Sequence, residues 1–235
     1  LCQEKLEFHP NNIEFQQNAV ESLNLKFEDK QDITDFDLSK SICKLNDFKN
    51  LKNLHLTLDG CVKITDFAIH SICSKGIQHL KSLTSLYLSF DGCDQITNKG
   101  LKILASTGIK HLKSLVILSL NFDGCKRITD NGIIKLCYRG ISHLTALKTL
   151  CLSFRFCPNL TNKSLESLCQ KGMKSLTSFF IDFADVKIAE SLKRKLSQSS
   201  STSFIIIGKN KLDSTVNACR LQRQSDGKQK NVQIS

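Results

Sequence analysis

Apolar and polar residues alternate over short stretches that recur along the chain at a fixed interval. In one unit, Leu86, Leu88 and Phe90 alternate with polar side chains and a tyrosine. A period of two predicts a β-strand with one buried face. The pair Asp91-Gly92 follows and predicts a turn, because Gly tolerates the backbone conformation that a tight turn requires.

A helical pattern follows each turn. Thr97 predicts a helix N-cap, since its hydroxyl can accept a hydrogen bond from an unpaired backbone N–H. Leu101, Leu104 and Ala105 have the spacing of the inward stripe of a helix, and Gly108 predicts its end. Each unit is therefore strand, turn, helix and return, and it must stack on its neighbours to bury its apolar face.

The interval of 32 residues predicts a stacked repeat. The clearest column of equivalent residues is Cys61, Cys93, Cys125 and Cys157. Less regular units on both sides extend the pattern, so we predict an α/β solenoid of about six to seven coils of 29–32 residues over residues 20–207. Residues 1–19 are expected to form a partial N-terminal coil or cap. A helix is expected around residues 190–196, and residues 208–235 are expected to be a basic, polar, disordered tail.

The segment Leu115–Cys137 carries Leu-x-x-Leu-x-Leu followed by Cys-x-x-Ile-Thr-Asp-x-Gly-Ile-x-x-Leu-Cys. This pattern resembles the cysteine-containing leucine-rich repeat of ribonuclease-inhibitor-like proteins, which is typical of F-box substrate receptors. The resemblance implies a horseshoe with a parallel sheet on its concave face and helices on its convex face. The cysteine follows Leu120 by five positions where the family has three, so we expect Phe122 to take the last inward strand position.

Charge and cysteine content refine the class of protein. The 235 residues carry a net charge of +11, and most repeat lysines fall on helices and return segments. Seven of the eleven cysteines fall in two columns that are predicted to be buried, which predicts thiols and an intracellular protein, in the cytoplasm or alternatively the nucleus. No apolar run is long enough for a transmembrane segment. The chain begins with Leu, so we expect it to be a fragment of a longer protein.

The outward strand positions form three columns along the sheet. Their mixed polar and aromatic side chains predict a protein-binding face, with Tyr87 and Phe180 as anchors; the alternative is a solvated sheet surface. The candidate partner-binding residues on this concave face are His55, Asp59, Tyr87, Asp91, Ser119, Asn121, Asp123, Ser153, Arg155, Phe180 and Asp182.

Two columns of titratable residues are candidate binding sites. Asp59, Asp91 and Asp123 could attract a Lys/Arg-rich partner or a hard cation, but Asp before Gly is more typical of backbone capping. A second column falls in the return segments and favours hydrogen-bonded loop histidines over a metal site: His79, His111 and His143. The sequence carries no phosphate-binding loop, catalytic triad or metal-ligand spacing, so we expect neither an enzyme nor a cofactor.

The sequence is therefore compatible with three functions. The first is a non-catalytic protein–protein interaction module, in its most specific form a substrate-recognition region of an SCF-type ubiquitin ligase, although the first residues are too few for an F-box. The second is a basic surface that binds nucleic acid or an anionic membrane. The third is a regulatory repeat region of a larger multidomain protein such as a kinase.

Overall fold

The computed structural model describes residues 20–27, 31–171, 176–183 and 203–207, and for 169–171 and 203–207 only the backbone. The described strands are all parallel and form one sheet in which each strand pairs with the next in the chain. They are β1 (Ser22–Lys26), β2 (Asn53–Thr57), β3 (Ser85–Ser89), β4 (Ile117–Asn121), β5 (Thr149–Ser153), β6 (Ser178–Asp182) and β7 (Ser203–Ile207).

One helix lies between successive strands from β1 to β6. These helices are α1 (Asp35–Ile42), α2 (Asp66–Lys75), α3 (Asn98–Ile103), α4 (Asp130–Arg139) and α5 (Asn162–Lys171). Thr97 is the N-cap of α3, as predicted, and its hydroxyl accepts the backbone N–H of Lys99. Short 3₁₀ turns return the chain from the helices to the sheet, as at Ile77–His79 and Ile141–His143.

Equivalent residues of successive coils pair across the sheet without a shift in register. Leu86, for example, lies between Leu54 and Leu118. The inward side chains therefore form continuous columns, and those of the middle coils, such as Leu86, Leu88 and Phe90, are completely buried because a coil covers them on either side. Phe122 takes the last inward position of its coil, as expected, and its ring stacks on those of the neighbouring coils with centroids 5.2 and 5.7 Å away.

The strands of such a stack are more closely spaced than its helices. Neighbouring strands are spaced by about 4.8 Å, whereas packed helices need about 8–10 Å between their axes, so the stack bends toward the sheet. The predicted α/β leucine-rich-repeat solenoid of six to seven coils is confirmed by this architecture.

The turn cysteines are buried thiols that link adjacent coils. Cys61 donates a hydrogen bond to the Phe27 carbonyl at 2.9 Å, and Cys93 donates one to the Leu58 carbonyl at 3.1 Å. Burial raises the pKa of the Cys93 thiol far above its ordinary value. These cysteines therefore pack and donate weak hydrogen bonds, which agrees with their predicted role as small buried groups.

The glycine that follows each helix has a different role from the predicted one. Gly108 has a φ of −91°, so it does not need the left-handed conformation that favours glycine in a helix cap. A Cβ at this position would lie 2.7 Å from the Cys73 sulfur. Gly108 is thus required by close packing between coils, and α3 passes into a wider π-helical turn, Leu104–Gly108, before the chain returns.

Several predicted regions lie outside the described residues: the N-terminal coil at 1–19, the helix around 190–196 and the tail at 208–235. Their boundaries stay predictions. Within the part of the chain that the structure describes, no helix combines the length and apolar character needed to span a bilayer.

Candidate functional site on the strand face

Aspartates at the carboxyl ends of the strands connect one coil to the next. Asp59 accepts hydrogen bonds from the Ser89 hydroxyl and from the backbone N–H of Asp91, the latter at 3.0 Å. Asp123 repeats this arrangement two coils later, where its carboxylate accepts hydrogen bonds from the Ser153 hydroxyl at 2.7 Å and from the Arg155 backbone N–H at 2.6 Å. Two of the three predicted ladder carboxylates are therefore backbone caps, but they cap the following coil and not their own turn.

The backbone N–H of Asp123 itself is capped differently, by an amide from its own strand and not by a carboxylate of the preceding coil. The Asn121 side-chain oxygen accepts the backbone N–H of Asp123 at 3.0 Å, while its NH₂ group donates to the Ser89 hydroxyl at 3.0 Å. Asp91 as a whole residue is exposed. Partial burial of its carboxylate, together with the negative charge of Asp59, raises the pKa of that carboxyl group. Asp91 is thus the ladder residue that is most available to a partner.

The surroundings of Asp123 raise the pKa of its carboxyl group. Burial is the main cause, the negative charges of Asp91 and Asp182 add to it, and the hydrogen bonds from Ser153 and Arg155 oppose it. The result raises the pKa of Asp123 to about 6. The hydrogen bonds do not overcome the loss of hydration, so the pKa of this carboxyl group stays above the ordinary value of an aspartate.

The outward side of the sheet, here called the strand face, has a middle column that is mostly covered; its members are Lys26, Thr57, Ser89, Asn121, Ser153 and Asp182. Thr57, Ser89 and Asp182 are only 2, 0 and 3 % exposed, although their strand positions point away from the core. Neighbouring side chains and the hydrogen bonds described above close over them. Asp182 was predicted as a contact residue; its buried side chain instead lies against Arg155, with Arg155 Nε 3.8 Å from Asp182 Oδ2.

Two aromatic features remain accessible on this face. The rings of His55 and Tyr87 are both half-buried and lie with centroids 3.9 Å apart at an angle of 39°. The His55 ring is also held by a 3.1 Å hydrogen bond with the Thr57 hydroxyl. At the other end of the face, Phe180 on β6 is half-buried. The predicted anchors Tyr87 and Phe180 therefore lie on the face, each with part of its surface open.

Phe156, which was not among the predicted contact residues, is 57 % exposed in the turn after β5. Gly60, Gly92 and Gly124 hold the equivalent position in earlier coils with φ values of 74°, 72° and 70°, and Phe156 adopts the same conformation with φ 58°. For an L-residue the left-handed region costs roughly 1–2 kcal/mol. The signal was present in the sequence, because position 156 is where a column of glycines is broken by an aromatic residue.

Arg155 lies next to Phe156 and breaks the column of aspartates in the same coil. Its guanidinium carbon is 5.3 Å from the centroid of the Phe156 ring, within the range of a cation–π contact. Its other contact is the buried Asp182 carboxylate. The Arg155 guanidinium therefore lies near both the Phe156 ring and the Asp182 carboxylate. Arg155 and Phe156 together replace the Asp-Gly turn of the three preceding coils.

A second ladder, on the edge where the helices begin, was also missed. The residue after each N-cap threonine reaches the threonine of the next coil: Asp66, for example, accepts the Thr97 N–H at 2.9 Å and its hydroxyl at 2.7 Å. Its other members are Asp35 to Thr65, Asn98 to Thr129 and Asp130 to Thr161. The recurring Thr-Asp or Thr-Asn pair was its signal in the sequence.

The remaining predicted residues have simpler positions. Ser119 is half-buried on β4, and the histidines of the return segments are all exposed: His79, His111 and His143. Among the described residues, no group of three His, Cys, Asp or Glu side chains is arranged to hold a metal ion. The expectations of no cofactor and no catalysis stay predictions.

Fold and face together define the class of protein: a leucine-rich-repeat-like solenoid whose strand face carries polar, aromatic and charged side chains. No family model matches the sequence, and no curated protein matches it. Among solved structures, the chain is similar to one in a crystal structure of the Rad7 and Elc1 complex in yeast, with 21 % identity and a TM-score of 0.47. The similarity covers 74 % of this chain and 44 % of that chain, so this chain spans less than half the length of the other.

Proposed function

We propose that this chain is a non-catalytic protein-recognition module and that the strand face is its binding surface. The observation that carries the proposal is that the accessible side chains of this face are held by neighbouring coils. The His55 ring lies against the Tyr87 ring of the next coil with centroids 3.9 Å apart, and the Arg155 guanidinium lies near the Asp182 carboxylate of the next coil and the Phe156 ring. Side chains that are already ordered lose little conformational entropy when a partner binds, so such a surface favours recognition.

The charge of the face also differs from that of the chain. Its three columns carry two described positive residues and four described negative ones, which gives 2 − 4 = −2. They are Lys26, Arg155, Asp59, Asp91, Asp123 and Asp182. The whole chain, in contrast, carries +11. A face whose sign is opposite to that of the rest of the molecule orients a partner toward it during encounter.

Site-specific photo-cross-linking tests the proposal. A photoreactive phenylalanine analogue placed at Tyr87 should cross-link to a partner protein in extracts of the source cells. Tyr138 is the control, because it is a tyrosine outside the strand face, 44 % exposed, on helix α4. Identical adducts at positions 87 and 138 would refute recognition by the strand face.

The rival function is binding of nucleic acid or an anionic membrane through the basic surface. Exposed lysines such as Lys99, Lys102 and Lys113 on helix and return segments are the observation that favours it. That function requires retention on heparin at about 0.15 M salt, where Debye screening already acts over about 8 Å. Elution below that salt concentration would leave the lysines with a solubilising role.

A finer version of the proposal rests on the resemblance to F-box substrate receptors. In that version, the bound partner is a substrate of an SCF-type ubiquitin ligase, and Tyr87→Ala should reduce ubiquitin conjugation of the cross-linked protein. If the adduct instead joins Tyr87 to another part of the same polypeptide, a regulatory repeat region of a larger protein is the better account.

A further inference from the structure

The fifth coil differs from the three before it at the end of its strand. Where those coils have Asp-Gly, this one has Arg155-Phe156. The backbone path nevertheless stays the same, because the Gly124 N–H donates to the Arg155 carbonyl at 2.8 Å and the Arg155 N–H donates to Asp123 Oδ1 at 2.6 Å. These two bonds impose on Phe156 the left-handed backbone that glycine adopts more easily.

Folding alone does not account for the aromatic residue at this position. Phe156 is 57 % exposed, so burial of its ring contributes only part of the stabilisation available to a core phenylalanine. A bulky residue in a left-handed turn is an outlier that persists where the surrounding structure holds it, and such outliers cluster at functional sites. An exposed aromatic ring beside an arginine also has the composition of a protein–protein hot spot.

The charges around Phe156 indicate what kind of partner fits. The positive charge of Arg155 faces the buried carboxylate of Asp182, whereas Asp91, two coils earlier, is exposed. An added Cβ on Gly124 would lie 3.7 Å from Asp91 Oδ1, so the Asp91 carboxylate leans toward the coil that precedes Phe156. Accessible negative charge therefore lies on the same side of the sheet end as the exposed ring, one to two coils away.

We propose that Asp91, Arg155 and Phe156, together called the Phe156 corner, dock an extended protein segment that presents a large apolar side chain and a Lys or Arg. The apolar side chain packs on Phe156 and the cation lies near Asp91. Two strand spacings separate these coils, roughly 10 Å, which an extended peptide covers in about three residues. The inference rests on the proposed function, since it names the chemistry of the partner that the strand face receives.

A phage-displayed library of random 12-residue peptides, selected on the immobilised full chain, tests the inference. The selected peptides should pair a large apolar residue with Lys or Arg two to four positions away. Fluorescence anisotropy with the best peptide should show at least tenfold weaker binding to Phe156→Gly and severalfold weaker binding to Asp91→Asn. The salt dependence of binding should also be smaller for Asp91→Asn, because one charge contact is lost.

Stability measurements separate a binding defect from a folding defect. Phe156→Gly should raise Tm by about 2–4 °C, because it relieves the left-handed backbone of a bulky residue in a chain of this size. Phe156→Leu should retain binding within about threefold, and Tyr138→Ala on α4 should leave it unchanged. A variant that binds more weakly while it is more stable supports a docking role for the ring.

Any of three results would overturn the inference. The selected peptides lack the pair of a basic and a large apolar residue, Phe156→Gly binds the best peptide as tightly as the wild type, or the library yields no peptide whose binding depends on the strand face. If Tyr87→Ala abolishes binding while Phe156→Gly does not, the strand face binds its partner elsewhere and the proposed function survives. If neither substitution changes binding, the proposed function fails as well.

Discussion

Removal of the Asp66 carboxylate should uncouple two adjacent coils. Asp66→Ala deletes the acceptor for the Thr97 N–H at 2.9 Å and for the Thr97 hydroxyl at 2.7 Å. Hydrogen bonds to a charged group contribute about 1.5–3 kcal/mol each, and two bonds to one side chain are not additive. We therefore expect the free energy of unfolding to fall by about 2–4 kcal/mol.

Asp66→Asn is the matched control, because the chain already contains the amide version of this contact. Asn98 accepts the Thr129 N–H at 3.0 Å and donates from its NH₂ group to the Thr129 hydroxyl at 2.9 Å. An amide at position 66 can make the same pair of bonds once the Thr97 hydroxyl rotates to accept. The expected loss is at most about 1 kcal/mol, the size of one neutral hydrogen bond.

Gly100 provides a second test of the same contact. A Cβ at Gly100 would collide with Asp66 Oδ1 and would lie 2.9 Å from the end of the Ile69 side chain. Gly100→Ala should therefore destabilise the wild-type protein, although Ala is a better helix former than Gly. In the Asp66→Ala background the collision with the carboxylate is absent and only the far end of the flexible Ile69 side chain has to shift, so Gly100→Ala should stabilise by up to about 1 kcal/mol through its helix propensity.

Urea denaturation followed by circular dichroism measures all four proteins of this cycle. The midpoints should shift while the slope of unfolding stays constant, and the sign of the Gly100→Ala effect should reverse between backgrounds. The reasoning is refuted if Asp66→Asn is as damaging as Asp66→Ala, or if Gly100→Ala has the same effect in both backgrounds.

Three further predictions concern other contacts between coils. Asp123→Asn should flatten the pH dependence of the free energy of unfolding between about pH 4 and 6. In that window the folded wild type retains a proton on Asp123 that the unfolded chain has lost, so its free energy of unfolding falls as pH rises, whereas asparagine does not titrate. An unchanged pH profile in urea titrations would count against the raised pKa. Cys93 should react with iodoacetamide at least 100-fold more slowly than the exposed Cys43 when peptides are analysed by mass spectrometry, because its buried thiol has a raised pKa, and equal rates would contradict this burial. Gly124→Ala should lower the free energy of unfolding by about 1–2 kcal/mol in urea denaturation, since its φ is +70° and a Cβ would lie 3.2 Å from the Gly92 nitrogen; a neutral result would show that the turn relaxes at little cost.

The repeating interval made most of the fold predictable. Strand, turn, helix and return each have a local signature, and their recurrence reinforces every single assignment. Thr97 as an N-cap and Phe122 as an inward residue followed from local rules and from alignment of the units, and the structure confirms both. The predicted contact residues of the strand face, as a set, stay a prediction.

Contacts between coils could not be predicted from the same rules. Asp66 and Thr97 are 31 positions apart, and only the register of the stacked coils brings them together. The same register explains Gly100, whose missing side chain leaves room for a carboxylate of the previous coil. Gly108 was assigned the right position but the wrong reason, because its environment is defined by Cys73 from another coil and not by its own helix.

Every cap of the helix-edge ladder points in one direction, from a side chain in one coil to a backbone N–H in the next. The two ends of such a stack are therefore chemically different. One end presents spare carboxylate or amide oxygens, which water solvates readily, whereas the other presents a threonine N–H that needs an acceptor from its own coil, as Asp37 provides for Thr34 at 3.1 Å. A repeat array built this way has a polarity of assembly, and new coils can be added by duplication in a single register without any change to the contacts already made.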